Sequence, residues 1–179
     1  MKKVFWLFLI VLLFSGCTDL SNTPTKRVEE FLKKYQALDN DVLSDLDKVI
    51  TNENNLSATQ ADIYRDIMKK HYQNLTYEIK DDKIDGDKAI VTVEITVTDF
   101  RRVIDEAESY MNNNIEEFYD ETGNYSILKY NDYRLEKLKE AKEKVKYTIY
   151  LNLTKVNDKW TMDDIDQVTY DKINGIYNY

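Results

Sequence analysis

Histidine, cysteine and proline each occur once in these 179 residues, and glycine only four times. One cysteine excludes an internal disulfide framework, a CxxC redox pair and a cysteine-based zinc cluster, and one histidine excludes a multi-histidine metal site. A basic block is also missing. With 25 Lys and Arg against 33 Asp and Glu, a formal charge of -8 and a pI near 4.8, the chain is poorly suited to a polyphosphate partner, so no nucleic acid is expected. The length accommodates one domain plus a processed end.

What is present begins with a leader. Met1-Lys2-Lys3 is followed by an apolar run from Val4 to Phe14 and then Ser15-Gly16-Cys17. A helix over that run is about 16 Å long, roughly half of a bilayer core of about 30 Å, so it is too short for a stable span. A charged start, a short apolar stretch and small residues before a break are the parts of a secretory signal peptide. Ser15-Gly16-Cys17 resembles the lipobox of bacterial lipoproteins, with Phe14 where that family usually has Leu. The resemblance implies that Cys17 is acylated and becomes the new N-terminus, and several acyl chains together hold a protein stably on a membrane. The expected organisation is a signal peptide over 1–16, a lipidated tether over 17–23 and one domain over 24–179. Loss of Lys2 and Lys3 takes 25 cationic side chains to 23 against 33 acidic ones, so the exported part carries -10.

Apolar periodicity divides the rest. Val28, Phe31, Leu32 and Tyr35, then Val42, Leu43, Leu46, Val49 and Ile50, then Tyr64, Ile67, Met68, His71 and Tyr72 lie at helical spacing. Thr23-Pro24, Asp39 and Ser57 with Gln60 are suited to start those three helices. Leu75, Tyr77 and Ile79 alternate with polar partners, as do Ala89, Val91, Val93, Ile95 and Val97, and Asp85-Gly86 supplies a hairpin turn between them. A helical stripe runs from Val103 to Phe118, residues 120–132 are less regular, and Leu135, Leu138 and Ala141 mark another helix on which Glu140 and Lys144 form a favourable pair. Tyr147, Ile149, Leu151 and Leu153 alternate again, Asn157-Asp158 turns the chain into Trp160 and Met162, and a short helix around 171–177 closes the domain.

This order predicts an α+β fold, with N-terminal helices packed on a curved antiparallel sheet of about four strands in two hairpins and a helical insertion between the hairpins. The outline resembles the cystatin-like or nuclear-transport-factor-2-like (NTF2-like) superfamily. Thr23-Pro24 with Val28-Glu29-Glu30-Phe31-Leu32 looks like the opening helix of small NTF2-like lipoproteins of low-GC Gram-positive bacteria, and the stretch from Tyr150 to Trp160 looks like their last hairpin. The resemblance implies a lipid-anchored domain, and the leading expectation is an interaction or ligand-binding module on the extracytoplasmic face of the cell membrane, with an unknown protein or small ligand as partner and the concave sheet and helical insertion as contact surface. Related folds also host isomerase and dehydratase sites in the cone between helices and sheet, and a purely structural envelope role is a third reading.

Candidate chemistry is sparse. His71 sits on an apolar stripe with no marked nucleophile or carboxylate partner, so it is expected to be a structural or surface histidine. Asp81, Lys83, Asp85 and Gly86 echo the start of a calcium loop, but its twelfth position is Thr92 instead of Glu. Glu117 with Glu121, and Asp105 with Glu108, read as exposed faces opposite the apolar stripe. Tyrosine is abundant, with 14 in the chain. Tyr119, Tyr125, Tyr130 and Tyr133 cluster around the irregular segment, and their amphipathic rings make them the candidate interaction surface. With no acid–base pair on the inward faces, a binding role without catalysis, cofactor or metal is expected.

Overall fold

Pro24 opens the first helix, α1 (Pro24–Ala37), where its fixed φ suits the first helical position and the Lys26 amide donates to Thr23 Oγ1 at 3.1 Å. The structure, a computed structural model, describes residues 22–52 and 55–178. The signal peptide and Cys17 lie outside the described residues. Helix α2 (Asn40–Asn52) follows Asp39, whose carboxylate accepts from the Asp41 amide at 3.1 Å. Helix α3 (Ala58–Gln73) begins with the reciprocal box read from the sequence: the Gln60 amide donates to Ser57 Oγ and the Ser57 amide to Gln60 Oε1.

Four strands follow the alternating segments: β1 (Thr76–Asp85), β2 (Lys88–Thr98), β3 (Lys144–Val156) and β4 (Lys159–Met162). They form one open sheet in the order β1-β2-β3-β4, every neighbour antiparallel. Between β2 and β3 the chain leaves the sheet through α4 (Phe100–Asn113), a 3-10 turn (Ile115–Phe118) and α5 (Ile127–Glu140); α6 (Gln167–Ile173) comes last. The period of two puts Val91, Val93, Ile95 and Val97 of β2 on the covered face beside Tyr147, Ile149, Leu151 and Leu153 of β3. Val28 and Leu32 of α1 and Ile67, Met68 and Tyr72 of α3 pack into the same core. Each of these side chains contributes about 1.5–3 kcal/mol by leaving water, so the core is filled along the middle of the sheet.

Several boundaries differ from the expectation, each for a local reason. Strand β1 runs through residues 81–85 because a bulge between Ile79 and Asp81 resets the register and keeps this polar stretch paired with β2. The stripe from Val103 to Phe118 is broken at Asn114, whose side-chain amide donates to the Tyr110 carbonyl, and the chain tightens into the 3-10 turn. Glu117 and Glu121 therefore do not share a helical face. Helix α5 starts at Ile127, capped by Ser126, and stops at Glu140, so Glu140 pairs with Lys137 at 3.8 Å while Lys144 opens β3. The last helix lies at 167–173, capped by the Asp166 carboxylate on the Thr169 amide.

The β3–β4 turn has Asn157 at φ 49° and Asp158 at φ 60°, both left-handed. That is the mirror-image hairpin turn for which Asn-Gly is the preferred pair. Asp158→Gly is expected to raise stability by about 0.5–1 kcal/mol, since the Asp158 side chain is fully exposed and reaches Lys155 only at 3.8 Å. Urea unfolding of the two proteins gives the comparison, and a lower midpoint for the glycine variant would contradict the assignment. The same turn receives the start of the described chain: the Asn22 side-chain amide donates to the Asp158 carbonyl at 2.7 Å, and its Oδ1 accepts from the Trp160 amide at 3.0 Å.

Candidate ligand-binding site

The C-terminal half of α3, the end of α5 and the adjoining ends of β2 and β3 line a half-open cavity of about 280 Å³. Its apolar wall comes from Ile63 and Ile67 of α3, Phe100 of α4, Leu138 of α5 and Ala141 after it. The charged lining is one-sided: Lys70, Lys139, Lys142 and Lys144 against Asp66. Among the described residues none of these four lysines is in an ion pair; Lys144 Nζ donates to Thr98 Oγ1 at 3.0 Å. Partial burial holds the Lys144 ammonium below its ordinary pKa.

His71 forms part of this wall, and it is only 3% exposed. Its ring stacks on Phe100 at 4.7 Å and meets Tyr72 edge-on. Its Nε2 lies 2.8 Å from the Ile173 carbonyl. A carbonyl oxygen only accepts, so Nε2 carries the proton of the neutral ring and Nδ1 presents a lone pair. That Nδ1 is buried and has no hydrogen-bond partner. An unsatisfied buried acceptor costs roughly 1–3 kcal/mol, a cost of packing this ring into the wall. Burial lowers the His71 pKa to about 4; the bond to Ile173 opposes this and the charge of Lys144 adds to it. The ring is therefore neutral at physiological pH.

The C-terminal turn holds His71 from behind. Helix α6 ends in a left-handed Gly175 at φ +70°, with the Gly175 amide donating to Lys172 and the Ile176 amide to Asp171, which closes the last turn. Tyr72 Oη donates to Asn174 Oδ1 at 2.7 Å, and the Arg101 amide at the start of α4 donates to the Gly175 carbonyl at 2.8 Å. A β-carbon at Gly175 would lie 2.1 Å from the Thr98 carbonyl oxygen and 3.0 Å from His71 Cε1. The turn, the end of β2 and the imidazole are thus packed without a gap.

A second, wider depression of about 500 Å³ lies on the other side of the α5–β3 link and shares Ala141 and Lys142 with the first. Its charges balance, since Arg102, Lys137 and Lys142 face Glu106, Glu140 and Glu143, and Arg102 already pairs with Glu106 at 2.8 Å.

The four candidate tyrosines do not form one surface. Tyr130 is buried against Phe118 at 5.8 Å, and Tyr133 is half-buried, stacked on Tyr110 at 4.9 Å and edge-on to Phe118, so both belong to a small core that holds the insertion together. Tyr119 and Tyr125 face each other across an isolated bridge, Tyr119 half-buried and Tyr125 exposed. The loop between them is tied by Asp120, whose carboxylate accepts from the Thr122 and Asn124 amides and is held below its usual pKa first by the Thr122 hydroxyl. The remaining acid-rich surface makes helix-face ion pairs, Arg101 with Asp105 and Arg102 with Glu106. Asp81, Lys83 and Asp85 lie on extended strand, which does not wrap a cation.

Sequence reading missed the cavity because its parts are far apart in the chain. The available signal was Lys139, Lys142 and Lys144 closely spaced at a helix end, together with Lys70 beside the single histidine.

No known family profile matches this sequence, and no curated protein matches it. Among solved structures the fold is similar to a candidate lipoprotein, ycdA, from Bacillus subtilis, with a TM-score of 0.45 and 18% identity over 80% of this chain. The chain spans about half (47%) of that protein's length. Among the described residues no helix is long and apolar enough to cross a membrane.

Proposed function

We propose that this chain is an extracytoplasmic lipoprotein, anchored through Cys17, whose NTF2-like domain holds a small ligand in the cavity between α3, α5 and the start of β3. The observation that carries the binding reading is the cavity of about 280 Å³ itself, in which an apolar wall of Ile63, Ile67, Phe100 and Leu138 meets a cluster of polar and charged side chains. The reading is of binding without turnover. A histidine whose pKa lies at about 4 is a weak base, and general base catalysis near neutral pH favours a pKa near the working pH. The anchoring half of the proposal rests on Ser15-Gly16-Cys17 after a short apolar run, which resembles a lipobox. Its test is Cys17→Ser followed by membrane fractionation. Release into the soluble fraction, or accumulation of an unprocessed precursor, is expected; retention of a normally sized product on the membrane would refute lipid anchoring.

A further inference from the structure

We infer that the ligand of the α3–α5–β3 cavity is an anion: a small molecule that carries one carboxylate or phosphate group on a short apolar body. This rests on the binding reading above and specifies its chemistry. The exported chain has a side-chain charge of -10, yet the cavity is lined by four lysines and one aspartate, a local excess of the opposite sign. The neighbouring depression across residues 141–143, built from the same helix end, balances its charges and pairs Arg102 with Glu106 and Lys137 with Glu140. The four cavity lysines are solvent-exposed and have no such partners among the described residues, so an anion in the cavity meets an excess of positive charge that Asp66 alone does not balance. Specific association of this kind needs an apolar surface for the body of the ligand, which Ile67, Phe100 and Leu138 provide.

The single histidine gives the cavity its own spectroscopic reporter. Full-length protein in a non-ionic detergent is titrated with phenylacetate, phenyl phosphate, 2-phenylethanol and 2-phenylethylammonium while the His71 ring and Ile67 methyl resonances are followed by NMR. The expected result is saturable movement of both signals with at least one of the two anions, and binding weakened roughly tenfold or more by the exposed-site double variant Lys139→Glu with Lys142→Glu. Phenylacetate acting alone identifies a carboxylate ligand, phenyl phosphate acting alone a phosphate, and either supports the inference. Equal binding of 2-phenylethanol, or anion binding indifferent to the charge reversal, overturns the anion assignment and leaves the cavity as a binding site. Failure of all four probes to move the His71 and Ile67 signals at millimolar concentrations overturns the binding reading with it.

Discussion

Gly175→Ala is expected to lower the free energy of unfolding by roughly 3 kcal/mol or more. An alanine held at φ +70° costs about 1–2 kcal/mol because a β-carbon crowds the following carbonyl in the left-handed region. The larger part is steric. That β-carbon would sit 2.1 Å from the carbonyl oxygen of Thr98, a backbone atom fixed in β2, and relief by backbone movement typically costs a further 1–3 kcal/mol or so. Movement of the turn also lengthens the bond from the Arg101 amide to the Gly175 carbonyl and loosens the contact between Ile173 and His71. Gly86 and Gly123 supply the control, since both have positive φ but nothing within 4 Å of an added β-carbon, so alanine there is expected to cost only about 1 kcal/mol. Urea unfolding of the three variants separates the two contributions. A Gly175→Ala loss no greater than the other two would mean that the C-terminal turn is not seated against β2.

Acid is expected to destabilise the domain through His71 by about 3 kcal/mol between pH 6.5 and pH 4. The folded pKa of about 4 lies below the ordinary 6.5, chiefly because burial disfavours the imidazolium. Between those values the unfolded chain binds the proton and the folded protein does not, so the contribution is complete above pH 6.5 and is lost as the pH falls toward 4. At 1.36 kcal/mol per pKa unit the span gives about 3 kcal/mol. In His71→Gln the side-chain amide can still donate to the Ile173 carbonyl but does not titrate, so this contribution to the acid loss should be absent from the variant. Carboxylates held below their ordinary pKa, such as Asp120 and Asp166, also lose stabilisation in acid, but they are common to both proteins and cancel in the difference. Denaturation curves at a series of pH values measure that difference; identical slopes would show that the ring is protonated in the folded protein.

Elements with strong periodicity or complete chemical signatures were legible in the sequence. The Ser57 and Gln60 box, the Thr23-Pro24 start, the Asn157-Asp158 turn and the alternating β2 and β3 faces stand where the residues put them, because local hydrogen bonds and a period of two determine them, while the first hairpin turns one residue later than read, at Gly86 and Asp87. The reading failed where a tertiary partner decided the outcome. Polar residues 81–85 extend β1 only because β2 is there to pair with, and Glu140 and Lys144 look like a helical pair until the chain leaves α5 to join the sheet. The cavity was least accessible, since residues from α3, α5, β2 and β3 meet there without a shared motif. His71 illustrates the difference: its stripe position is compatible with burial, but the Ile173 carbonyl that fixes its tautomer lies 102 residues away. Tyr130 shows the converse, a tyrosine of an irregular-looking segment that Phe118 draws into a core of its own.

Asn22 fixes more than the first turn of the chain. By gripping the β3–β4 turn it sets the point at which the tether leaves the domain, and the five residues back to Cys17 span at most about 17 Å when extended. Strand β3 runs from that turn to the cavity, and its 13 residues cover about 40 Å. With Cys17 lipidated as proposed, the domain hangs by one end of its longest strand and the cavity belongs to the other end. The length of β3 then separates the point of attachment from the cavity.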